Sequence, residues 1–503
     1  MKKRKGGERE KRAGGLFQGS ITIYMALILC LLLSLVSAGL QSVRLQAART
    51  QILAAMDVGL YSLFSEYDRT LLEKYDIFAL DCSGGDGLLE MAPYYDDFEG
   101  YMDTVLHQGN SQSLFITQGG FSGYALLTDE EGGVFFHQVV QYMKDTIWAQ
   151  GVMAAASRLS AQEQVTVDAE AIGEDAESRG TLSQYEEELS DAAQKSQEER
   201  KRLEKEAEEK GLVIVDPPTK DVVNPIPMIK RIRQMGVLAL VLPAGASLSD
   251  VSLGDANFPS HRQNQEGMAL EGWYQREAGL FDDALFQQYI IKKLGNYLHP
   301  SDTGMNYQVE YILGRQMTDR ENLEHVAGRL LLIREGINAA AIASDPIKME
   351  QAAGLSMAIA SSFLIPPAAS VIQAALVLSW AFGESVLDVR ELFDGGRVPL
   401  VKTAESWQLS LENLPELLDH LDSDRKSDPL GLSYEDYLGV LLLGKSRQEK
   451  TMGTLDMIEQ SLRGMDGWSN FRLDSCVVAI RASADVLADG TMPYSVEKIY
   501  GYH

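Results

Sequence analysis

The sequence predicts a helix-rich α+β protein in which an N-terminal transmembrane helix continues into a long helix and then a mixed extracytoplasmic domain. Three observations carry this. An uncharged run begins at Ile21 and ends at Leu40, directly after a basic stretch. Capping-box spacings at Thr318 and Ser433 each open a stripe of apolar residues with helical period. Near the C-terminus, Cys476, Val478, Ile480, Ala482, Ala484 and Val486 alternate with Val477, Ala479, Arg481, Ser483 and Asp485, a strand pattern.

The first twelve residues set Lys2, Lys3, Arg4, Lys5, Arg9, Lys11 and Arg12 against Glu8 and Glu10. A spacer with Gly14, Gly15 and Gly19 comes next, then the apolar run, which contains no proline. A helix rising about 1.5 Å per residue needs about 20 apolar residues to cross the hydrocarbon core, and the run has that length. Basic residues in front of it predict a cytoplasmic tail over 1–19, a transmembrane helix over 20–40 and an extracytoplasmic chain thereafter. The alternative is a cleaved secretory signal, with Val36, Ser37 and Ala38 before the cut. Against cleavage, Val43, Ala47, Ala54, Val58 and Tyr61 continue at helical spacing. That pattern predicts a rod running on to about Phe78.

At 503 residues the chain can hold two or three domains and a sizeable core. With 45% hydrophobic and 23% charged residues it is not a disordered chain. Its formal net charge of −27 argues against nucleic acid as a partner, because phosphate binding needs clustered Lys and Arg. An acidic surface serves solubility, or a basic partner or divalent cations. Of three cysteines, Cys30 lies in the apolar run. Outside the cytoplasm a disulfide between Cys82 and Cys476 is chemically permitted, with two buried free thiols as the alternative.

Beyond the anchor, residues 41–159 read as the helical extension and the first part of the outer domain. A turn-rich break over 81–87 precedes strand-like pieces such as Leu114-Phe115-Ile116 and a helix around 139–157. Residues 160–227 read as an acidic flexible insertion, with Glu186-Glu187-Glu188 and Glu198-Glu199, closed by a linker rich in Pro217, Pro218, Pro225 and Pro227. Residues 228–503 read as a helix-rich domain with C-terminal strands. Within it Tyr307, Val309, Tyr311 and Leu313 alternate as in a half-buried strand. Thr318 with Glu321 opens a helix whose core face is Leu323, Val326, Leu330, Ile333 and Ile337. Ser433 with Asp436 opens another, carrying Tyr437, Val440, Leu441 and later Met457 and Ile458. The uncharged stretch 352–383, split by Pro366 and Pro367, reads as two buried helices, with a membrane-inserted hairpin as the alternative. Asp489-Gly490 supplies a hairpin turn.

No catalytic, metal or cofactor site is assigned. The seven histidines lack metal-helix spacing, and His325 reads as a structural histidine. There is no phosphate-cradling glycine loop with its lysine and no Gly-x-Ser-x-Gly elbow. Asp419, Asp422, Asp424 and Asp428, interrupted by Arg425 and Lys426, read as a solvated turn, as do Asp81, Ser83 and Asp86.

The stretch Gly19-Ser20-Ile21-Thr22-Ile23-Tyr24, the apolar run and Arg44-Leu45-Gln46-Ala47-Ala48-Arg49 resemble the start of TadE/TadG-like proteins, pilin-like membrane components of tight-adherence pilus assembly. The resemblance covers about the first 60 residues. It implies a prepilin-like processing point between Gly19 and Ser20, where the prepilin pattern then requires Glu and this chain has Tyr24. Four further segments resemble an uncharacterised family of single-pass bacterial membrane proteins. They are Glu66-Tyr67-Asp68 through Leu71-Leu72-Glu73-Lys74-Tyr75-Asp76-Ile77-Phe78, Val309-Glu310-Tyr311-Ile312-Leu313-Gly314, Arg334-Glu335-Gly336-Ile337-Asn338 and Tyr434-Glu435-Asp436-Tyr437-Leu438. The topology, the pilin-like start and the lack of catalytic signatures lead to the expectation of a non-catalytic, membrane-anchored accessory or structural component of a pilus-like or secretion apparatus, with envelope or pilus-assembly proteins as partners; the uncharacterised family has no established activity to add. A cell-envelope hydrolase with a site assembled from scattered Asp, Glu and His is the alternative.

Overall fold

The computed structural model describes residues 14–107, 113–146, scattered positions within 185–210, 222–254, 257–268, 270, 279–362, 368–421, 425, 427–488, 490 and 492–502. The basic tail over 1–13, most of the acidic insertion, Asp422, Asp424, Pro366, Pro367, Asp489 and His503 lie outside the described residues.

Helix α1 (Gly14–Phe64) is one unbroken element. From residue 21 to residue 47 every side chain is exposed. From there the helix becomes two-faced: Ala48, Ile52, Ala55, Met56, Leu60 and Leu63 are buried at three- and four-residue spacing, one stripe of an amphipathic helix. The stripe packs on Phe98 and Met102 of α3 (Ala92–Leu106). At Gly59 the approach is so close that a Cβ would stand 3.0 Å from the Phe98 ring. The rod ends at Phe64, short of the expected Phe78. Asp68 is the reason: its Oδ1 accepts the Leu71 amide at 2.8 Å and starts a separate helix, α2 (Arg69–Tyr75).

Strands β1 (Leu80–Asp81), β2 (Leu114–Leu126), β3 (Cys476–Ala488) and β4 (Met492–Gly501) form an antiparallel sheet. β3 is central, with β2 along one side and β1 and β4 along the other. Alternate β3 residues, Ile480, Ala482, Ala484, Val486 and Ala488, face the α1–α3 core. The β3–β4 hairpin turns at Gly490, whose φ of 68° suits glycine. The sheet therefore joins both ends of the chain. A linear division at 159 and 228 separates β2 from the strand it pairs with.

The second, larger core is helical. α4 (Asp129–Thr146) starts well before the helix expected around 139–157, and residues 147–159 are outside the described set. It is followed by α5 (Ile226–Arg233), α6 (Val237–Val241) and α7 (Leu280–Lys293). The expected strand at Tyr307–Leu313 is instead α8 (Gln308–Gly314). All seven of its residues are buried, so the apolar alternation reflects burial on every side and not a pleat. Asp319 accepts the Asn306 and Tyr307 amides at 3.0 Å just ahead of it, and left-handed Arg315 ends it.

Thr318 caps α9 (Asp319–Ser344) as expected, and its five stripe residues are all buried. The uncharged stretch forms α10 (Pro346–Ser362) and α11 (Ala369–Phe393). α11 is apolar and long enough to span a membrane, yet 67% of its apolar window is buried inside the protein. α10 buries only Ala352, Ser356, Ile359 and Ala360. Two helices, not one, come after Ser433: α12 (Tyr434–Leu443) stops at Gly444, and Ser446 caps α13 (Arg447–Arg463), which carries Met457 and Ile458. Of the acidic insertion, Tyr185 is buried in a small apolar cluster with Ile226, Ile359 and Leu376, and its hydroxyl accepts from Asn224 Nδ2 at 2.8 Å.

Candidate functional site

The bare part of α1 has the strongest physical claim to a function. Between Ile21 and Val43 it climbs about 35 Å, against about 30 Å for the hydrocarbon core of a bilayer. Leu31, Leu35 and Leu27 are 68%, 66% and 64% exposed, and Arg44 is the first charge after the run. A contiguous apolar surface of this extent needs a non-aqueous partner.

The second half of α1 is held firmly to the domain. The Arg49 guanidinium lies over the Tyr494 ring, 5.7 Å from its centroid, and Lys498 pairs with Asp57. Phe64 meets the rings of Tyr500 and Tyr502 at 5.1 and 4.9 Å, and the Tyr502 hydroxyl donates to the Phe64 carbonyl at 2.5 Å. From Arg49 to Asp57 a helix rises about 12 Å, and from Tyr494 to Lys498 a strand rises about 13 Å. The two elements run in step.

A polar cleft of about 750 Å³ opens where the distal end of β2 meets the 257–268 loop and α13. Behind its wall, buried Asp456 accepts the amide of lining Ser260 at 2.8 Å, the Tyr311 hydroxyl at 2.9 Å, Nη1 of lining Arg315 at 2.9 Å and the Ser260 hydroxyl. His261 Nδ1 is 2.9 Å from Ser260 Oγ. The order is Asp–Ser–His, with the serine in the middle, so the imidazole is not placed between acid and hydroxyl as a relay. The opposite lip carries Glu130 and Glu131, both left-handed at φ 56°, which costs about 1–2 kcal/mol per residue. Among the described residues no group of three or more His, Cys, Asp or Glu is placed to hold a metal ion.

A second polar cluster is sealed inside the helical core. Arg334 and Asn338, one turn apart on α9, face Glu384, Ser385 and Asp388 on α11. Lys402 enters from the loop after α11, 2.5 Å from Asp388 Oδ1 and paired with Glu384. Burial pushes Asp388 up, but Lys402 and Arg334 outweigh it and hold the carboxylate below its ordinary range. Glu384 ends above its ordinary range, because burial outweighs Lys402. Arg334 Nη1 also donates to the Leu400 carbonyl at 2.8 Å, and Glu384 accepts the Leu409 amide at 2.7 Å. The cluster therefore clamps the 399–409 loop. It has no access from solvent and acts as scaffold.

Cys82 and Cys476 come close, from opposite ends of the chain, where β1 meets β3: Asp81 pairs with Cys476, and the Cys82 amide donates to Ser475 O at 3.1 Å. Both are buried free thiols, Cys82 in the α1 core and Cys476 in the helical core. The pleat thus turns them to different layers. Gly19 and Ser20 lie within the helical course of α1, and Tyr24 is 65% exposed. His325 is exposed on α9. Asp81 accepts the Ser83 amide at 3.1 Å, and Asp428 the Leu430 amide at 2.9 Å, as turn residues do. Sequence reasoning misses the Ser260–Asp456 pair and the Lys402 cluster. Their members are distant in sequence, and only the four-residue spacings Arg334–Asn338 and Glu384–Asp388, each on one helix, are local signals.

The class these features define is a helix-rich α+β domain hung on a long apolar N-terminal helix, which suggests a membrane anchor or a secretion signal. The chain belongs to a family of unknown function, DUF5702, whose sequence profile matches residues 216–488, from before α5 to the end of β3. Among curated proteins and solved structures, none matches the chain.

Proposed function

We propose that this protein is a non-catalytic, single-pass membrane protein whose bulk lies outside the cytoplasm, serving as an accessory or structural component of a pilus-like (tight-adherence) or secretion apparatus. One observation carries the reading: α1 is bare and apolar from residue 21 to residue 40 and docked to α3 and the sheet from Ala48 on, with no break between. A cleaved signal would leave no reason for the apolar run to continue as one helix into the folded domain. The basic residues before Gly14 favour a cytoplasmic N-terminus. The TadE/TadG-like start supports the pilus-like context, and Tyr24 in place of the prepilin glutamate favours an anchored accessory over a filament subunit. Crosslinking on intact cells, with identification of captured proteins, tests it. Capture of pilus-assembly or secretion components and loss of surface assembly on deletion are expected. A solitary monomer in mild detergent, with surface assembly intact in the deletion strain, would overturn it.

A second reading, an envelope hydrolase, draws on the Ser260–Asp456 contact in the cleft. It requires that Ser260→Ala abolish a hydrolytic activity while the thermal unfolding midpoint stays put. The missing imidazole relay weighs against it.

A further inference from the structure

We propose that the end of the sheet from which α1 departs rests in the outer headgroup layer of the membrane, with Phe115, Leu487 and Pro493 as the side chains that enter it; this rests on the anchoring proposed for α1. The three residues are register partners across β2, β3 and β4. They lie on the sheet face turned away from α1, since their neighbours Leu114, Val486 and Ala488 belong to the α1 core. Phe115 is 52% exposed, Pro493 is exposed and Leu487 half-buried. The next rows on the same face are polar: Asp485 with Ser495, then Ser483 with Glu497. The apolar row is thus confined to one end.

That end is the one nearest the span. Arg49 stacks on Tyr494, and Gln51 Nε2 donates to the Leu106 carbonyl at 3.1 Å, so the starts of β2 and β4 lie level with residues 48–51 of α1. From Arg44 the helix rises about 7.5 Å to Arg49 and about 10 Å to Gln51. The polar layer of each leaflet is about 5–7 Å deep, so the row falls at the outer edge of the headgroup layer. Phe and Leu side chains of surface-lying segments sink into the boundary between headgroups and acyl chains.

The test uses the full chain with Cys30→Ser, in vesicles of zwitterionic and anionic phospholipid. A nitroxide is attached at Phe115→Cys or, separately, at Pro493→Cys. Leu31→Cys serves as the lipid reference and Leu430→Cys, at a site 96% exposed in the helical part, as the aqueous one. Cys82 and Cys476 are buried and stay unlabelled. Collision of the label with dissolved oxygen is compared with collision with a water-soluble nickel chelate. Labels at 115 and 493 are expected to show an oxygen-to-nickel ratio several-fold above that at 430 and below that at 31. Ratios equal to that at 430, with 31 in lipid, overturn the proposal and leave the anchor intact. An aqueous ratio at 31 overturns the anchor itself. Spin–spin broadening at 115 with an aqueous ratio assigns the patch to a second copy and also overturns the proposal.

Discussion

Arg334 and Asp388 meet at 2.8 Å between Nη2 and Oδ2, and neither side chain touches solvent. Arg334 Nε reaches the same oxygen at 3.0 Å, so a single carboxylate oxygen takes two guanidinium donors and the Asn338 amide. Lys402 occupies the other oxygen. Two helices and a loop depend on this one contact.

Removing Arg334 leaves Asp388 and Glu384 facing a single cation inside the core. Breaking a buried pair from one side costs about 3–5 kcal/mol, and Arg334→Ala is expected to lose that much in urea unfolding. Arg334→Lys is expected to recover only part, because an ammonium cannot serve Asp388, Tyr437 and the Leu400 carbonyl together. Unfolding curves indistinguishable from the parent would show the cluster is not the clamp described.

Glu310 should make stability depend on pH. Burial pushes its carboxyl up to about 7, against the opposing pull of the Tyr434 hydroxyl at 2.7 Å and the Tyr297 amide at 2.8 Å. Unfolded, it ionises near its ordinary value of about 4.3. Between those limits the native state keeps a proton that the unfolded state releases. Its contribution is full below the ordinary value and is lost as pH rises through about 7. Glu310→Gln should flatten that part of a denaturant-midpoint profile; an unchanged slope would assign the dependence elsewhere.

Behind the cleft, Asp456→Asn is expected to loosen the 257–268 loop, since Ser260 and Arg315 both depend on that carboxylate. A loss of about 1–3 kcal/mol is expected, with faster amide exchange in the loop. Protection equal to the parent's would mean the loop is held by Arg262 and its partners Glu459 and Asp474 instead.

The thiols can be counted. Burial pushes Cys82 and Cys476 well above the ordinary thiol range, so both should resist alkylation in the native protein and react fully in denaturant without reductant. Protection that persists in denaturant until reductant is added would reveal a disulfide that the present geometry does not contain.

What is legible in the sequence is local. The Thr318–Glu321 and Ser433–Asp436 boxes form where expected because a cap needs only neighbours three residues away. The same box at Ser446 and Glu449 is there to be read and marks the break between α12 and α13. Tyr307 to Leu313 misleads for the opposite reason: a segment buried on all sides carries no reliable period, and the Asp319 carboxylate that accepts the amides at its start comes from the next helix, brought there by the fold. The Ser260–Asp456 pair has no signal at all, because folding brings it together from 196 residues apart.

By itself the sequence determined that residues 21–40 would be an apolar helix and that the chain would be rich in capped helices. Both result from transfer of side chains out of water and from hydrogen bonds within one turn. Only the tertiary structure decided that β2 would pair with β3 from the far end of the chain, and that Cys82 and Cys476 would sit as strand neighbours facing different layers. The same holds for the polar cores around Asp388 and Asp456. Those outcomes turn on register and on which distant donors desolvate together, and a string of residues does not encode either quantity locally.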